Sequence, residues 1–255
     1  MRPAFLSRAE RPLAIAHRGG ALLGPENTQK AFAAAIAAGA AIVETDLRLS
    51  ADGALVCLHD ADLAHLAGDA RRVAETDLAT LKRLLPDMLT LDEAIAASAP
   101  LGLLLDVKLH EPRILNPILA ALDAADALAR CLLGLRDIDL IAAAHQLPPE
   151  VAILALVPDP DSISRAQAAG ADWFRLWQGE ATPERLAAIR EAGMGSVIMV
   201  GQPRSVAEPG YPPFPVGRID EDGIADLLAL GPDALMLDDP RLLIATRAVT
   251  GASSI

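Results

Sequence analysis

The chain is short of aromatic side chains, of lysine and of cysteine, and each shortage narrows what it can be. Aromatic residues make up 3% of the 255 positions while the apolar fraction reaches 52%, so the core must be built from Ala, Leu, Val and Ile. Among 22 basic residues only Lys30, Lys82 and Lys108 are lysines, and 34 acidic residues set the net charge at −12. That field argues against a general affinity for nucleic acid or anionic bilayers. An anionic ligand would need local cations or a metal to approach. No run nears the ~18 uncharged apolar residues of a membrane span, so no stable membrane insertion is expected. Met1 to Leu13 carries Arg2, Arg8, Glu10 and Arg11 and has no apolar run suited to a signal peptide. The two cysteines, Cys57 and Cys131, sit apart in apolar, strand-like runs. Scattered buried thiols point to a reducing compartment, with cytoplasm as the expected location.

Also missing is a Gly-x-Gly-x-x-Gly turn after the first apolar strand, which disfavours a doubly wound open sheet. What the chain does have is alternation. Strands are predicted at Leu13–Ala16, Ala41–Leu47, Leu103–Val107, Leu132–Leu135, Val151–Val157, Trp173–Trp177, Ser196–Val200 and Ala234–Leu237, with Ala/Leu-rich helical stretches between them. Thr182-Pro183-Glu184 offers an N-cap followed by Pro at the first helical position. Eight such units predict an α/β protein with a (β/α)8 TIM barrel as one domain over residues 1–255. Two stretches break the rhythm. Ala51-Asp52-Gly53 reads as a turn between apolar arms, predicting a small β-hairpin excursion after the second strand. Gly201 to Val216, rich in Pro and Gly, falls after the seventh strand, where a barrel places loops over its catalytic face.

Between His17 and Asp60 lie two imidazoles, two strand carboxylates and a guanidinium: His17-Arg18-Gly19, Pro25-Glu26-Asn27-Thr28, Glu44-Thr45-Asp46 and His59-Asp60. Alternate strand side chains share a face, so Glu44 and Asp46 point together. Asp106 and Lys108 repeat that spacing on the third strand, next to the second in a closed barrel. Three carboxylates with oxygen-only ligation suit one divalent cation, Mg²⁺ or Ca²⁺, better than zinc. His17 and His59 suit general base and acid work near neutral pH. Arg18 can hold phosphate oxygens in a fork, and Lys108 supplies a point charge. Each of these cations can equally neutralise a neighbouring carboxylate. Asn27 or Thr28 is expected to cap the first helix. His65, His110 and His145 lack such context and read as structural. Trp173 and Trp177 share a face, so Trp177 either walls the pocket or packs as core.

The run from His17 to Asp60 resembles the signature of the glycerophosphodiester phosphodiesterase family, which is related to the sphingomyelinase D/phospholipase D toxins. The resemblance implies His17 and His59 in catalysis, Glu44 and Asp46 on the cation, and Arg18 on phosphate. It also implies cleavage of a small-molecule phosphodiester to sn-glycerol 3-phosphate and an alcohol. Asp238-Asp239-Pro240 resembles the family's closing strand. The chain departs from the family twice, with Asp106 where Glu is usual and with Met199-Val200-Gly201 where a Trp-Thr pair is common. A lysophospholipid substrate in the same site, helped by Leu22, Leu23 and Tyr211–Phe214, is the rival enzyme reading. A non-catalytic barrel that binds phosphate esters is the rival of another class. The sequence carries no sign of oligomeric state.

Overall fold

The computed structural model describes residues 11–147, 151–203 and 209–252. Residues 1–10 of the N-terminal stretch and residues 204–208 of the Gly201–Val216 loop noted above lie outside them.

Eleven strands and ten α-helices are found among the described residues. The strands are β1 Leu13–Ala16, β2 Ile42–Leu49, β3 Leu55–Cys57, β4 Asp62–Leu63, β5 Asp69–Arg72, β6 Gly102–Val107, β7 Cys131–Leu135, β8 Ala152–Ala155, β9 Trp173–Trp177, β10 Gly195–Met199 and β11 Ala234–Leu237. The helices are α1 Gln29–Ala37, α2 Ala64–Ala67, α3 Leu78–Leu84, α4 Leu91–Ser98, α5 Leu115–Ala124, α6 Ile138–His145, α7 Ile163–Ala168, α8 Pro183–Glu191, α9 Glu221–Leu230 and α10 Pro240–Ala252. Eight strands run parallel in the order β1-β2-β6-β7-β8-β9-β10-β11, and β11 pairs back with β1. The sheet is a closed barrel, as predicted, and each of the eight predicted strands is one of its staves. Closure leaves no parallel edge unpaired.

Helix starts follow local capping chemistry. Thr28 accepts from the Ala31 amide at 3.3 Å and caps α1, while Thr90 and Glu93 form a capping box at α4. Asp137, Thr182 and Asp220 cap α6, α8 and α9. Alternation within the strands divides the apolar residues into two shells. Val43, Leu47, Leu103, Leu105 and Leu133 face the helices, whereas Leu13, Ile15, Ile42, Leu104, Leu132, Leu154, Trp173 and Val197 fill the barrel. Trp173 is thus core, and the Arg11 guanidinium covers its ring at 5.9 Å.

The predicted hairpin is present: β2 and β3 pair antiparallel with Leu47 opposite Cys57 and Leu49 opposite Leu55, around Gly53 at φ +84°. The excursion is larger than predicted. It continues through β4, α2, β5 and α3, and closes over its own apolar cluster of Val56, Leu58, Leu63, Val73, Leu81 and Met88. Arg48 fixes its exit, donating from Nε and Nη2 to the His59 carbonyl at 2.9 and 2.6 Å.

Candidate active site

At the C-terminal ends of β1, β2 and β6 the predicted carboxylates meet. Glu44, Asp46 and Asp106 are buried, and one oxygen from each lies within 4.8 Å of the others. Strand register explains the convergence, because Asp46 is paired directly with Asp106 and Glu44 is two residues down the same inward face. Three buried anions this close repel, and the surroundings answer unequally. Lys108 Nζ stands 2.8 Å from Asp46 Oδ1 and 2.5 Å from Asp106 Oδ2. Arg136, just past β7, grips Asp106 with Nε at 2.8 Å and Nη2 at 2.5 Å. Asn27 donates to Asp46 Oδ2 at 3.0 Å and accepts from Thr45 Oγ1 at 2.7 Å. Thr28, not Asn27, is therefore the helix cap.

Among the described residues no lysine or arginine side chain hydrogen-bonds to Glu44. The Arg18 amide donates to its Oε2 at 2.6 Å, and the His17 imidazole is the cationic neighbour that lowers its proton affinity. Burial first, then the Asp46 and Asp106 charges, push its carboxyl from 4.5 up to about 7. Burial would also raise Asp46, but Lys108, His59 and Arg18 overcome it and hold that carboxyl well below the usual range. Asp46 Oδ1 is buried and faces the Lys108 ammonium at 2.8 Å. An under-neutralised Glu44 beside two further buried carboxylates, in an all-oxygen donor set, fits a hard divalent cation.

Arg18 is held in the left-handed region at φ +50°, a conformation costing a side-chain-bearing residue about 1–2 kcal/mol. The strain aims its amide at Glu44. Its Nη1 donates to Glu26 Oε2 at 2.7 Å and its Nε lies 3.9 Å from Asp46. Next to it Gly19, at φ +78°, has no room for a side chain, because a Cβ would stand 2.6 Å from the Phe32 ring.

Both predicted histidines are anchored through Nδ1 to a carboxylate, which leaves Nε2 for the pocket. His17 pairs with Asp238 Oδ1 at 2.7 Å in a buried contact. His59 pairs with Asp60 Oδ1 at 2.7 Å in a half-exposed one. Burial alone would depress the His17 imidazole, but the Asp238 hydrogen bond and the Glu44 charge raise it above its ordinary value. His59 goes the other way. Burial, with Arg18 and Lys108 nearby, outweighs Asp46 and Asp60 and lowers it.

These groups open into one cavity of about 230 Å³, lined by His17, Arg18, Glu44, His59, Asp106, Lys108, Arg136, Arg175 and Trp177, with Leu104, Leu156, Met199, Pro203, Val216 and Met236 as its apolar wall. Trp177 is at the pocket and Trp173 below it. Pro203 and Val216 bring the seventh βα-loop to the cavity, whereas Tyr211 packs on Gly179. Leu22 is exposed and Leu23 packs against the core. His65, His110 and His145 are exposed and lie outside the cavity.

Three contributors were not singled out from sequence. Asp238, at the end of β11, becomes the His17 partner only on closure. Gly217 makes room for it, since a Cβ there would stand 2.0 Å from Asp238 Oδ1. Arg136 follows a strand and precedes a helix cap, where a cation reads as an ordinary turn residue. Arg175 lies between two tryptophans, and strand alternation turns it inward with them.

Residues 17–121 match the glycerophosphoryl diester phosphodiesterase family. Probable glycerophosphodiester phosphodiesterase 1 of Mycobacterium tuberculosis is 42% identical over 76 residues, which are 30% of this chain and 28% of that protein. Glycerophosphodiester phosphodiesterase 1 of Bos taurus is 38% identical over 81 residues, 32% of this chain and 24% of that protein. The matched stretch therefore spans 28% or less of the length of these curated relatives. Among solved structures, glycerophosphodiester phosphodiesterase from Agrobacterium tumefaciens aligns with a TM-score of 0.75 at 20% identity, covering 92% of this chain and 99% of that one. A phosphodiesterase from Oleispira antarctica, solved with the product sn-glycerol-3-phosphate, aligns at 0.73 and 24% identity over 93% and 97%. At such identities these structures speak for the fold alone. Residues 17–121 are thus similar in sequence to the glycerophosphoryl diester phosphodiesterase family, and the barrel shares the fold of these solved phosphodiesterases.

Proposed function

We propose that the protein is a metal-dependent phosphodiesterase that cleaves glycerophosphodiesters to sn-glycerol 3-phosphate and an alcohol. One observation carries the reading: two carboxylate-anchored imidazoles share a cavity with a buried acid triad and two phosphate-sized cationic groups. The family match and the product named for the Oleispira antarctica structure support it. A phosphate-binding barrel without activity would have no use for both histidines and the triad.

Glu44, Asp46 and Asp106 would hold one divalent cation, Mg²⁺ or Ca²⁺. Such an ion, when bound, supplies Lewis-acid stabilisation of charge on the phosphoryl oxygens. Arg18 and Lys108 add hydrogen bonds and charge to the same oxygens as the transition state forms. Trp177 walls the substrate. His59, neutral at working pH because its proton affinity is lowered, takes the proton of the attacking hydroxyl, from water or the glycerol 2-hydroxyl. The new P–O bond forms as the bond to the leaving alcohol breaks. Attack by water gives sn-glycerol 3-phosphate directly. Attack by the 2-hydroxyl gives a cyclic phosphate that a water then opens, one ring P–O bond breaking as the new one forms. His17, protonated because its affinity is raised, gives its Nε2 proton to the departing alkoxide. The signs fix a bell-shaped profile: turnover rises as His59 deprotonates, below the ordinary imidazole value of 6.5, and falls as His17 deprotonates, above it. Two buried, unpaired thiols, Cys57 and Cys131, suit a reducing, cytoplasmic setting, and no helix among the described residues is long and apolar enough to cross a membrane.

The test is release of sn-glycerol 3-phosphate from a panel of glycerophosphodiesters with Mg²⁺, Ca²⁺ or Mn²⁺, with and without chelator. Cation-dependent release is expected; no release from any diester under any cation would overturn the reading.

A further inference from the structure

The acid triad, Arg18, Lys108 and both histidines belong to β1, β2, β6 and the loops at their ends. β9 lies four staves from β2 in either direction round the closed barrel, so Arg175 confronts the triad from the opposite wall. Its side chain points inward, because Arg175 pairs in register with Val197 of the barrel interior and lines the cavity.

Arg175 is a costly residue to place there. It is 6% exposed. Its Nη2 donates to the carbonyls of Leu156 and Val157 at 3.2 and 3.4 Å. Its guanidinium lies 4.9 Å from the centre of the Trp177 ring. Among the described residues, the carboxylate paired with it, Glu180, is 3.9 Å from Nη1, too far for a hydrogen bond, and Nη1 is buried with no hydrogen-bond partner. Burial depresses the group to about 10, so it stays charged at neutral pH. A second guanidinium lines the same cavity: Arg136 spends Nε and Nη2 on Asp106, leaving Nη1 outside that pair. Asp106 balances the Arg136 charge, so Arg175, 3.9 Å from Glu180, is the cation that faces the apolar wall of Leu156, Met199 and Val216 without a close counter-ion among the described residues.

We propose that Arg175, with Arg136 beside it and Trp177 beneath, is a subsite for an anionic group on the alcohol half of the substrate. The preferred glycerophosphodiesters then carry a second phosphate or a carboxylate on the head group. A quaternary ammonium is disfavoured, because the Trp177 face that would attract it is already covered by Arg175 and two guanidinium charges stand nearby. The inference rests on the phosphodiesterase reading for where the scissile phosphate lies.

The test compares kcat/KM on four substrates at one ionic strength: bis(glycerophospho)glycerol and glycerophosphoglycerate as phosphate- and carboxylate-bearing anions, glycerophosphoglycerol as the neutral reference, and glycerophosphocholine as the cation. The wild type is expected to favour at least one anion over the neutral reference by about tenfold or more, with choline last. Which anion leads identifies the group the subsite takes. Arg175→Met is expected to collapse that ratio, chiefly through KM, and Arg175→Lys to restore part of it. A wild type that ranks the neutral or choline diester at or above both anions overturns the proposal, as does a folded Arg175→Met that keeps the ratio. Should Arg175→Met fail to fold, the wild-type ranking and Arg136→Met decide. If the wild type cleaves nothing, the phosphodiesterase reading fails separately. Calorimetry with bis(glycerophospho)glycerol and glycerophosphoglycerol then tests the subsite. Tighter binding of the former supports it, and equal binding overturns it.

Discussion

The two walls of the barrel mouth are built on opposite electrostatic plans. On the β1–β2–β6 wall, anions are packed together and largely answered by neighbours: Lys108 and Arg136 on the aspartates, Asn27 on Asp46, the Arg18 amide on Glu44. On the β9 wall a cation is buried with a donor left open. The first wall is short of positive charge and suits a metal and its phosphate. The second is short of negative charge and suits whatever the substrate carries beyond that phosphate. The contrast teaches that reaction type and substrate choice are written on different staves, so one can change without the other.

Breaking the reactive wall should have the largest effects. His17→Ala or His59→Ala is expected to lower kcat by about 10²–10⁴-fold with the fold intact by circular dichroism. Normal turnover in either variant removes that residue from the chemistry. Next comes Glu44, whose carboxyl is raised from 4.5 to about 7 in the fold. A raised folded value means that stability is full below the unfolded value and is lost as pH climbs through the folded one. Without metal the protein should therefore lose on the order of 3 kcal/mol between pH 4.5 and pH 8, regained on adding Mg²⁺ or Ca²⁺. Urea midpoints across pH check this. Glu44→Gln should flatten both the pH slope and the metal response.

Smaller effects separate the two His–Asp pairs. The His17–Asp238 side chains are each 10% exposed, against 34% and 38% for His59 and Asp60. Asp238→Asn should cost about 10–100-fold in kcat and bring the alkaline limb of the pH profile down, because His17 loses the hydrogen bond that raises it. Asp60→Asn should cost only a few-fold, since water can replace its partner. A reversal of that order, read from steady-state pH profiles, would mean that His59 depends more on its neighbour than burial implies.

Most of the reactive wall was legible in the sequence, because its residues lie on regular strands whose period-two alternation says which way they face. Glu44, Asp46 and Asp106 needed only that rule and the adjacency of two staves. The β4–α3 part of the excursion was not legible. Its elements run from two to seven residues, too short for a period to register, and its small core gathers single residues such as Leu63, Val73 and Leu81 from separate segments. Arg136 and Arg175 escaped notice for another reason: an arginine announces a charge but not its partner, and both partners here are distant in sequence or absent. Asp238 was noticed as part of a strand, yet its role depends on a neighbour 221 residues away.

That distance has a consequence for how the protein comes to life. His17, the proposed proton donor, stands at the end of the first stave and its anchor Asp238 at the end of the last, so the two meet only when the barrel's seam is sewn. A chain emerging from the ribosome would hold its acids, its arginine fork and both imidazoles long before β11 exists, yet His17 would still swing unanchored. On the proposed mechanism, phosphodiester cleavage would act as a built-in signal that the ring is complete, and slack at the seam should blunt catalysis before it visibly loosens the rest of the fold.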